Sequence, residues 1–176
     1  MIRFALCALV SLAPAFAADA PTFAKTEDGQ LHGVEQEIVS LVEAMPADKF
    51  DFAPTAGEFK GVRTFGQQAR HVATIIYVVS AAVLGEKNPV DPGKDENGPA
   101  LASKAEIVKY LKDAFAYGHR AMSSLTAANA MDEVKVFGGS STRLAMANLA
   151  TSHSFDHYGQ MVVYLRMNGI VPPASR

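Results

Sequence analysis

The stretch at residues 142–173, TRLAMANLATSHSFDHYGQMVVYLRMNGIVPP, decides how this chain folds. It follows a Gly-Gly-Ser-Ser cluster at 138–141, and small polar residues of this kind are good helix N-caps. Arg166 suits the negative end of a helix dipole, and Gly169 suits the position just after a helix. The two prolines that end the stretch cannot continue a helix. The stretch therefore predicts a long helix over about residues 142–168.

Three further stretches carry apolar residues at helical spacing. The first is residues 31–45, which Pro46 ends. The second begins at Thr64 with the capping-box sequence Thr-Phe-Gly-Gln, and the third begins at Ser103 with Ser-Lys-Ala-Glu. The inward face of the third helix is expected to comprise Ile107, Leu111, Ala114, Phe115, Gly118, Met122 and Leu125.

Four amphipathic helices, without an alternating strand pattern of useful length, predict an all-α protein built as a four-helix bundle. Residues 86–102 contain three prolines and two glycines among charged residues, which is typical of a solvated link. A link of this length permits a crossover, so the helices need not follow a simple up-down-up-down order.

The second helix, which runs to about Leu84 before Gly85, carries no charge after His71. A helix that is apolar all round must be buried on most sides, either by its own bundle or by a partner. Its small residues, Ala73, Ser80, Ala81 and Ala82, would allow close approach of another helix, so a homodimer seam is one of the two expectations.

The first residues have the three-part pattern of an export signal. Arg3 supplies a positive charge, residues 4–12 are apolar, and Ala15-Phe16-Ala17 forms a small-x-small cleavage site. The apolar run is shorter than the roughly 20 residues that span a bilayer. We therefore expect a signal peptide at 1–17 and a single domain at 18–176 that is periplasmic or secreted, without stable membrane insertion. The alternative is a buried N-terminal helix.

Charge and cysteine content exclude several function classes. The net charge is −2, from 16 Lys and Arg against 18 Asp and Glu, which argues against the basic surface that a nucleic-acid binder needs. The only cysteine, Cys7, lies in the predicted signal. The exported chain would then have neither disulfides nor thiolate ligands, and any metal site must use histidines and carboxylates.

Three of the five histidines are expected to point into the bundle. His153 and His157 are four residues apart on one helix face, a spacing that lets two imidazoles bind one ion. His71 lies in register with the apolar residues of the second helix. Buried imidazoles need partners for their nitrogens, and one shared divalent metal ion would serve all three. The alternative is three separate core histidines with ordinary hydrogen bonds.

The remaining candidates are weaker. His32 and His119 are predicted to be surface residues. Asp156 is the nearest carboxylate to the pair, and it either orients a ligand histidine, serves as a base, or is a surface charge. The sequence His-Ser-Phe-Asp-His lacks the glutamate of a zincin protease motif, and no Ser/His/Asp order, phosphate loop or dinucleotide fingerprint is present.

The run HSFDHYGQMVVYLRMNGIVPP at 153–173 resembles the last helix of the DinB-like family. TFGQQARHV at 64–72 is similar to its second helix, and ADKFDFAP at 47–54 is similar to the segment before that helix. The resemblance covers about residues 31–175. It implies an up-down-down-up four-helix bundle and a divalent metal held by three histidines, which fall here on His71, His153 and His157. Zinc or nickel is the usual metal in the family, and iron or manganese also occurs.

A three-histidine site leaves a coordination position for water or substrate, as in catalytic zinc sites. Relatives of this bundle include thiol-dependent transferases and isomerases, and hydrolase activity is proposed for others. Export argues against a cytoplasmic thiol cofactor, so we expect a metal-dependent hydrolase or transferase acting on an unidentified small molecule. The alternative is a non-catalytic metal-binding or interaction module, whose site a fourth ligand from Asp156, His119 or His32 would close.

Overall fold

The computed structural model describes residues 20–176, so the predicted signal peptide at 1–17 lies outside the described residues. Its four helices are α1 (Phe23–Ala44), α2 (Phe65–Leu84), α3 (Lys104–Ser123) and α4 (Arg143–Met167). Short 3-10 helices at Ala47–Lys49 and Pro173–Ser175 and the strands β1 (Glu133–Val136) and β2 (Gly139–Thr142) complete the order. Within residues 20–176, no helix has both the length and the apolar content needed to cross a membrane.

The predicted ends of three helices are confirmed. Both capping boxes form: the Gln67 N–H donates to Thr64 Oγ1 while the Thr64 N–H donates to Gln67 Oε1, and Ser103 does the same with Glu106. Gly85 ends α2 with a φ of 69°, in the left-handed region that glycine adopts easily. At the other end of the chain α4 runs from the cap Thr142 to Met167, as the quoted stretch predicts.

The first helix begins eight residues earlier than predicted. Its N-cap is Thr22, whose side chain accepts the backbone N–H of Lys25 at 3.1 Å. The apolar spacing begins only at Leu31, because the buried position one turn before it is the polar Glu27. Helical spacing of apolar residues therefore missed the first two turns of this helix.

The predicted all-α fold class is confirmed, and the structure adds one small β-hairpin in the link between α3 and α4. Glu133 pairs with Thr142 and Val136 pairs with Gly139, around a turn whose central residues Phe137 and Gly138 have φ values of 51° and 74°. Two positive φ values are typical of the type I′ hairpin turn. The Gly-Gly-Ser-Ser cluster thus forms a turn and a strand rather than a helix cap. Strands of four residues, one of them Gly-Ser-Ser-Thr, are too short and too polar to give an alternating pattern.

Side-chain pairs between α1 and α3 fix their relative direction. Lys112, in the first half of α3, donates to Glu43 near the end of α1 at 2.6 Å. His119, near the end of α3, contacts Asp28 near the start of α1 at 2.6 Å. The two helices are therefore antiparallel.

The second and third helices run in the same direction. Thr74 of α2 contacts Tyr110 of α3 at 3.1 Å, and farther along both helices Ser80 faces Gly118. The long link between them must therefore return the chain to the end of the bundle where α2 began.

The fourth helix is antiparallel to the second, because Gln68 contacts Gln160 while the later His71 contacts the earlier His153. The helix α1 lies beside α3 and α4, and α2 lies beside the same two. Together these directions give the up-down-down-up bundle that the family resemblance implies.

The charge-free second helix is buried by its own bundle. Of the four small residues proposed for a homodimer seam, Ala73, Ser80 and Ala81 are covered by other helices of the same chain. Gly118 lets α3 approach closely, since a Cβ there would lie 2.9 Å from Leu31 and 3.3 Å from Ile76. Ala82, the fourth residue of the expected seam, is partly exposed, and the homodimer stays a prediction.

Candidate metal centre

His71, His153 and His157 meet between α2 and α4. The ring centroids lie 5.0 Å apart for His71 and His153, 4.8 Å for His71 and His157, and 4.5 Å for His153 and His157. One nitrogen from each ring lies within 4.8 Å of those from the other two. His71 and His157 are only 4% and 6% exposed, and His153 is half-buried. The sequence prediction that these three side chains converge is confirmed.

A backbone carbonyl from the loop between α2 and α3 orients the His71 ring. His71 Nδ1 lies 2.8 Å from the Glu96 oxygen, and since a carbonyl can only accept, Nδ1 carries the proton. Glu96 has a φ of 55°, a left-handed conformation that a non-glycine residue adopts at some strain. In the neutral ring, the Nε2 lone pair is therefore free and faces His153.

A chain of amides orients His157. His157 Nδ1–H donates to Gln68 Oε1, Gln68 Nε2 donates to Gln160 Oε1 at 2.9 Å, and Gln160 Nε2 donates to Asp156 at 3.0 Å. Successive hydrogen bonds of this kind polarise one another, and this chain ends on an exposed carboxylate. Asp156 is thus the last member of this hydrogen-bonded chain. Because the chain fixes the His157 proton on Nδ1, Nε2 keeps a free lone pair.

The spacing of the nitrogens fits a shared metal ion. His71 Nε2 and His153 Nε2 are 3.2 Å apart. Two nitrogens that each bind zinc at the usual ~2.0–2.1 Å, at a tetrahedral angle, lie about 3.3 Å from one another. His153 Nδ1 is buried without a hydrogen-bond partner among residues 20–176, so no oxygen orients this ring as Glu96 and Gln68 orient the other two. The residues present therefore fit a divalent cation with imidazole ligands.

All three rings are neutral near pH 7, which is the form that binds metal. Burial, together with the neighbouring imidazoles, lowers the pKa of His157 to about 3 and that of His153 to about 4. Burial also lowers the pKa of His71. Desolvation disfavours the charged form of an imidazole, so no proton competes strongly for these nitrogens at neutral pH.

Arg63, which immediately precedes the N-cap of α2, adds a positive charge beside the site. Its charge contributes to lowering the pKa of all three histidines. Its guanidinium donates to Asn97 Oδ1 at 2.8 Å and to the Asp95 carbonyl at 2.9 Å, on either side of Glu96. Arg63 therefore holds the loop whose carbonyl orients His71.

His32 and His119 lie elsewhere, between α1 and α3, and cannot supply a fourth ligand to this site. His32 is a surface residue, as predicted, with its side chain 59% exposed. His119 is more covered than predicted, at 27% exposure, because Asp28 and Glu35 of α1 extend across the helix pair to its ring nitrogens.

Sequence reasoning missed Gln68, Glu96 and Arg63. Gln68 was detectable, because it lies three residues before His71 on the same face of an otherwise apolar helix, where a polar side chain needs a buried partner. Glu96 acts through its backbone oxygen, so its side chain carries no signal. Arg63 acts on a loop about 30 residues away, which only the folded chain brings near.

Replacing Gly98 by alanine is expected to displace the loop and weaken metal binding. Gly98 has a φ of 64°, and a Cβ there would lie 2.3 Å from Thr74 Oγ1 and 2.8 Å from the Tyr110 hydroxyl. The left-handed conformation alone costs an alanine about 1–2 kcal/mol, and the contacts force the loop outward, away from His71. Chemical denaturation and metal titration of G98A measure the two effects.

Gly93→Ala is the matched control. Gly93 has a similar φ of 70°, but its nearest neighbour across the loop would be 3.9 Å from the new Cβ. We expect G93A to lose stability through its backbone alone and to keep the metal affinity of the unmodified chain. Equal metal affinities for G98A and G93A would show that the loop carbonyl does not support His71.

Comparison with known proteins places the chain in a family. The family model of the DinB superfamily matches residues 30–161. A DinB-like protein from Bacillus cereus ATCC 10987 is 22% identical, with a TM-score of 0.63 over 83% of this chain and 95% of that one. A DinB-like protein from Bacillus subtilis is 18% identical, with a TM-score of 0.62 over 82% and 92%. None of the curated proteins matches significantly. The family match and the shared fold lead to one conclusion: this chain belongs to the DinB superfamily.

Proposed function

We propose that this protein holds one divalent metal ion on His71, His153 and His157 and uses it for hydrolysis or group transfer. The observation that carries the proposal is the convergence of three neutral imidazoles. Two of these rings have their protons fixed on Nδ1 by Glu96 and Gln68, which aims their free nitrogens into one space. Histidine ligands whose other nitrogen donates to an oxygen are the usual arrangement in metal sites.

Zinc or nickel is the proposed metal, because imidazole ligands suit both, and iron or manganese is the alternative. When bound by three protein ligands, such an ion acts as a Lewis acid toward a substrate oxygen or a water molecule. The chain's own residues orient the ligands and shape the charge around them. Since Arg63 places a positive charge beside the three rings, we propose a small-molecule substrate that carries a negative charge.

Export is part of the proposal and is supported by the signal pattern at residues 1–17. Outside the cytoplasm small thiols are less available, which favours hydrolysis over a thiol-dependent transfer. Cleavage after Ala17 leaves Ala18 as the first residue of the isolated protein, and the intact mass checks this.

An open coordination position separates a catalytic site from a closed metal-binding module. The second candidate, a non-catalytic metal-binding module, is favoured by the low exposure of His71 and His157. We expect the cobalt-substituted protein to change its visible spectrum when azide is added, because azide enters a position that no protein ligand fills. A spectrum that stays unchanged up to saturating azide would favour the closed module and overturn the catalytic proposal.

A further inference from the structure

A second group of metal-ligating side chains lies between α1 and α3, apart from the α2–α4 pair that holds the first site. His32 and Glu35 share one face of α1 because they are three residues apart, and His119 faces them from α3. One ligand atom from each lies within 4.8 Å of the other two. We propose that His32, Glu35 and His119 form a second, weaker divalent-cation site that links the first and third helices.

The orientation of His119 supports this proposal. His119 Nδ1 lies 2.6 Å from Asp28 Oδ1, and His119 Nε2 lies 3.0 Å from Glu35 Oε2. Without a metal, the ring donates from both nitrogens, Nδ1–H to Asp28 and Nε2–H to Glu35, and despite burial these two carboxylates raise the His119 pKa. A cation between Nε2 and the Glu35 oxygen would replace the Nε2 proton, while Nδ1–H continued to donate to Asp28. A carboxylate that holds a histidine while the histidine's other nitrogen binds a cation is a recurring arrangement in metal sites.

His32 completes the set from the exposed side. His32 Nδ1 lies 3.7 Å from the same Glu35 oxygen that His119 contacts. The Gln36 side-chain amide donates from its Nε2 to His32 Nε2 at 3.0 Å, which leaves the proton of the neutral ring on Nδ1. A cation bound at Nδ1 would displace that proton, and a half-turn of the Gln36 amide would then place its oxygen against a proton on Nε2. Two imidazoles and one carboxylate suit zinc, nickel and similar divalent ions.

The solvent exposure of His32, Glu35 and His119 determines how tightly this group is expected to bind a cation. The His32 side chain is exposed, whereas Glu35 and His119 are half-buried, so the ligands of this site are less fixed than those of the first. Its remaining coordination positions open to solvent. We therefore expect a cation that exchanges during dialysis, in contrast to the retained ion of the three-histidine site.

The test is equilibrium dialysis of the untagged full chain against increasing zinc, with metal content measured per protein. The unmodified chain is expected to take up one equivalent more than it retains after dialysis into metal-free buffer. Glu35→Gln should weaken the uptake of this added equivalent by more than ~10-fold, since an amide is a poor replacement for a carboxylate ligand. Glu43→Gln is the control, because Glu43 is an exposed glutamate of the same helix that pairs with Lys112 outside the group.

A competing explanation is that a proton, not a metal, occupies the space between His119 and Glu35 and that the group is only an ion-pair network. Uptake of the added equivalent that is the same for Glu35→Gln and for Glu43→Gln would overturn the proposal, as would the lack of any added equivalent. Histidine nitrogen NMR gives a second readout, in which zinc should shift His119 Nε2 and His32 Nδ1 while His119 Nδ1 stays protonated. Both measurements remain decisive even if the first site fails to retain metal.

Discussion

Replacing His153 by alanine is expected to abolish metal retention by the purified protein. The untagged chain should keep close to one equivalent of divalent metal after dialysis, and H153A should keep almost none. His153 supplies one of the three converging nitrogens, and its Nε2 lies 3.2 Å from that of His71. Loss of a supporting hydrogen bond already weakens a metal site by ~10–100-fold, so loss of a ligand should exceed that range.

The melting temperature should lose its response to metal in the same variant. An ion that binds only the folded state, at 100 times its Kd, stabilises that state by about 2.7 kcal/mol. For a chain of this size that corresponds to a rise of about 5–11 °C in the unmodified protein. We expect no rise from this site in H153A. The metal-free variant should still fold, because alanine removes a buried nitrogen that has no partner within residues 20–176.

His119→Ala is the matched control, since it removes a histidine that lies between α1 and α3 and not beside the three rings. We expect H119A to keep the metal that survives dialysis. Equal losses in the two variants would show that the wrong histidines are assigned to the retained ion. A well-folded, unmodified chain that binds no zinc or nickel at all would contradict the whole site.

The helix ends could be predicted from the sequence because their signals are local. Thr64, Ser103 and Gly169 act within one turn of their own positions, so no tertiary contact decides the outcome. The predicted first helix begins too late, because the opening turns of α1 bury the polar Glu27 at a position where helical spacing calls for an apolar residue. The hairpin was missed because a turn with two positive φ values, at Phe137 and Gly138, holds strands that have no alternating pattern of their own.

The three histidine ligands of the candidate site could be predicted because their positions also follow from local helix spacing. The residues that orient these histidines could not be predicted. His153 and His157 project together whenever their helix forms, and His71 lies on a face that has to be buried. The orientation of His71 depends on the Glu96 carbonyl 25 residues away, and the residues on either side of Glu96 are held by Arg63. Such contacts depend on how the loop folds back over α2, which spacing along the sequence does not encode.

Gln68→Met is expected to weaken metal binding by ~10–100-fold while leaving all three ligands in place. Gln68 is 2% exposed, and its Oε1 accepts the proton of His157 Nδ1. Methionine fills the same volume without a comparable acceptor, so His157 can turn or move its proton to the nitrogen that should bind metal. The buried N–H left without a partner should also lower the free energy of unfolding of the metal-free chain by about 1–3 kcal/mol.

Two further variants test whether Gln68 orients His157 or only fills space in the core. Gln68→Glu keeps an acceptor for His157 Nδ1–H and should restore most of the metal affinity, even though it no longer donates to Gln160. Gln160→Met breaks the chain one step farther out, at an exposed residue, and should have a smaller effect than Gln68→Met. Competition with a chromophoric chelator measures the affinities, and histidine nitrogen NMR reports which His157 nitrogen carries the proton. If Gln68→Met and Gln68→Glu weaken binding equally, Gln68 only fills space, because an acceptor that orients His157 must distinguish a carboxylate from a thioether.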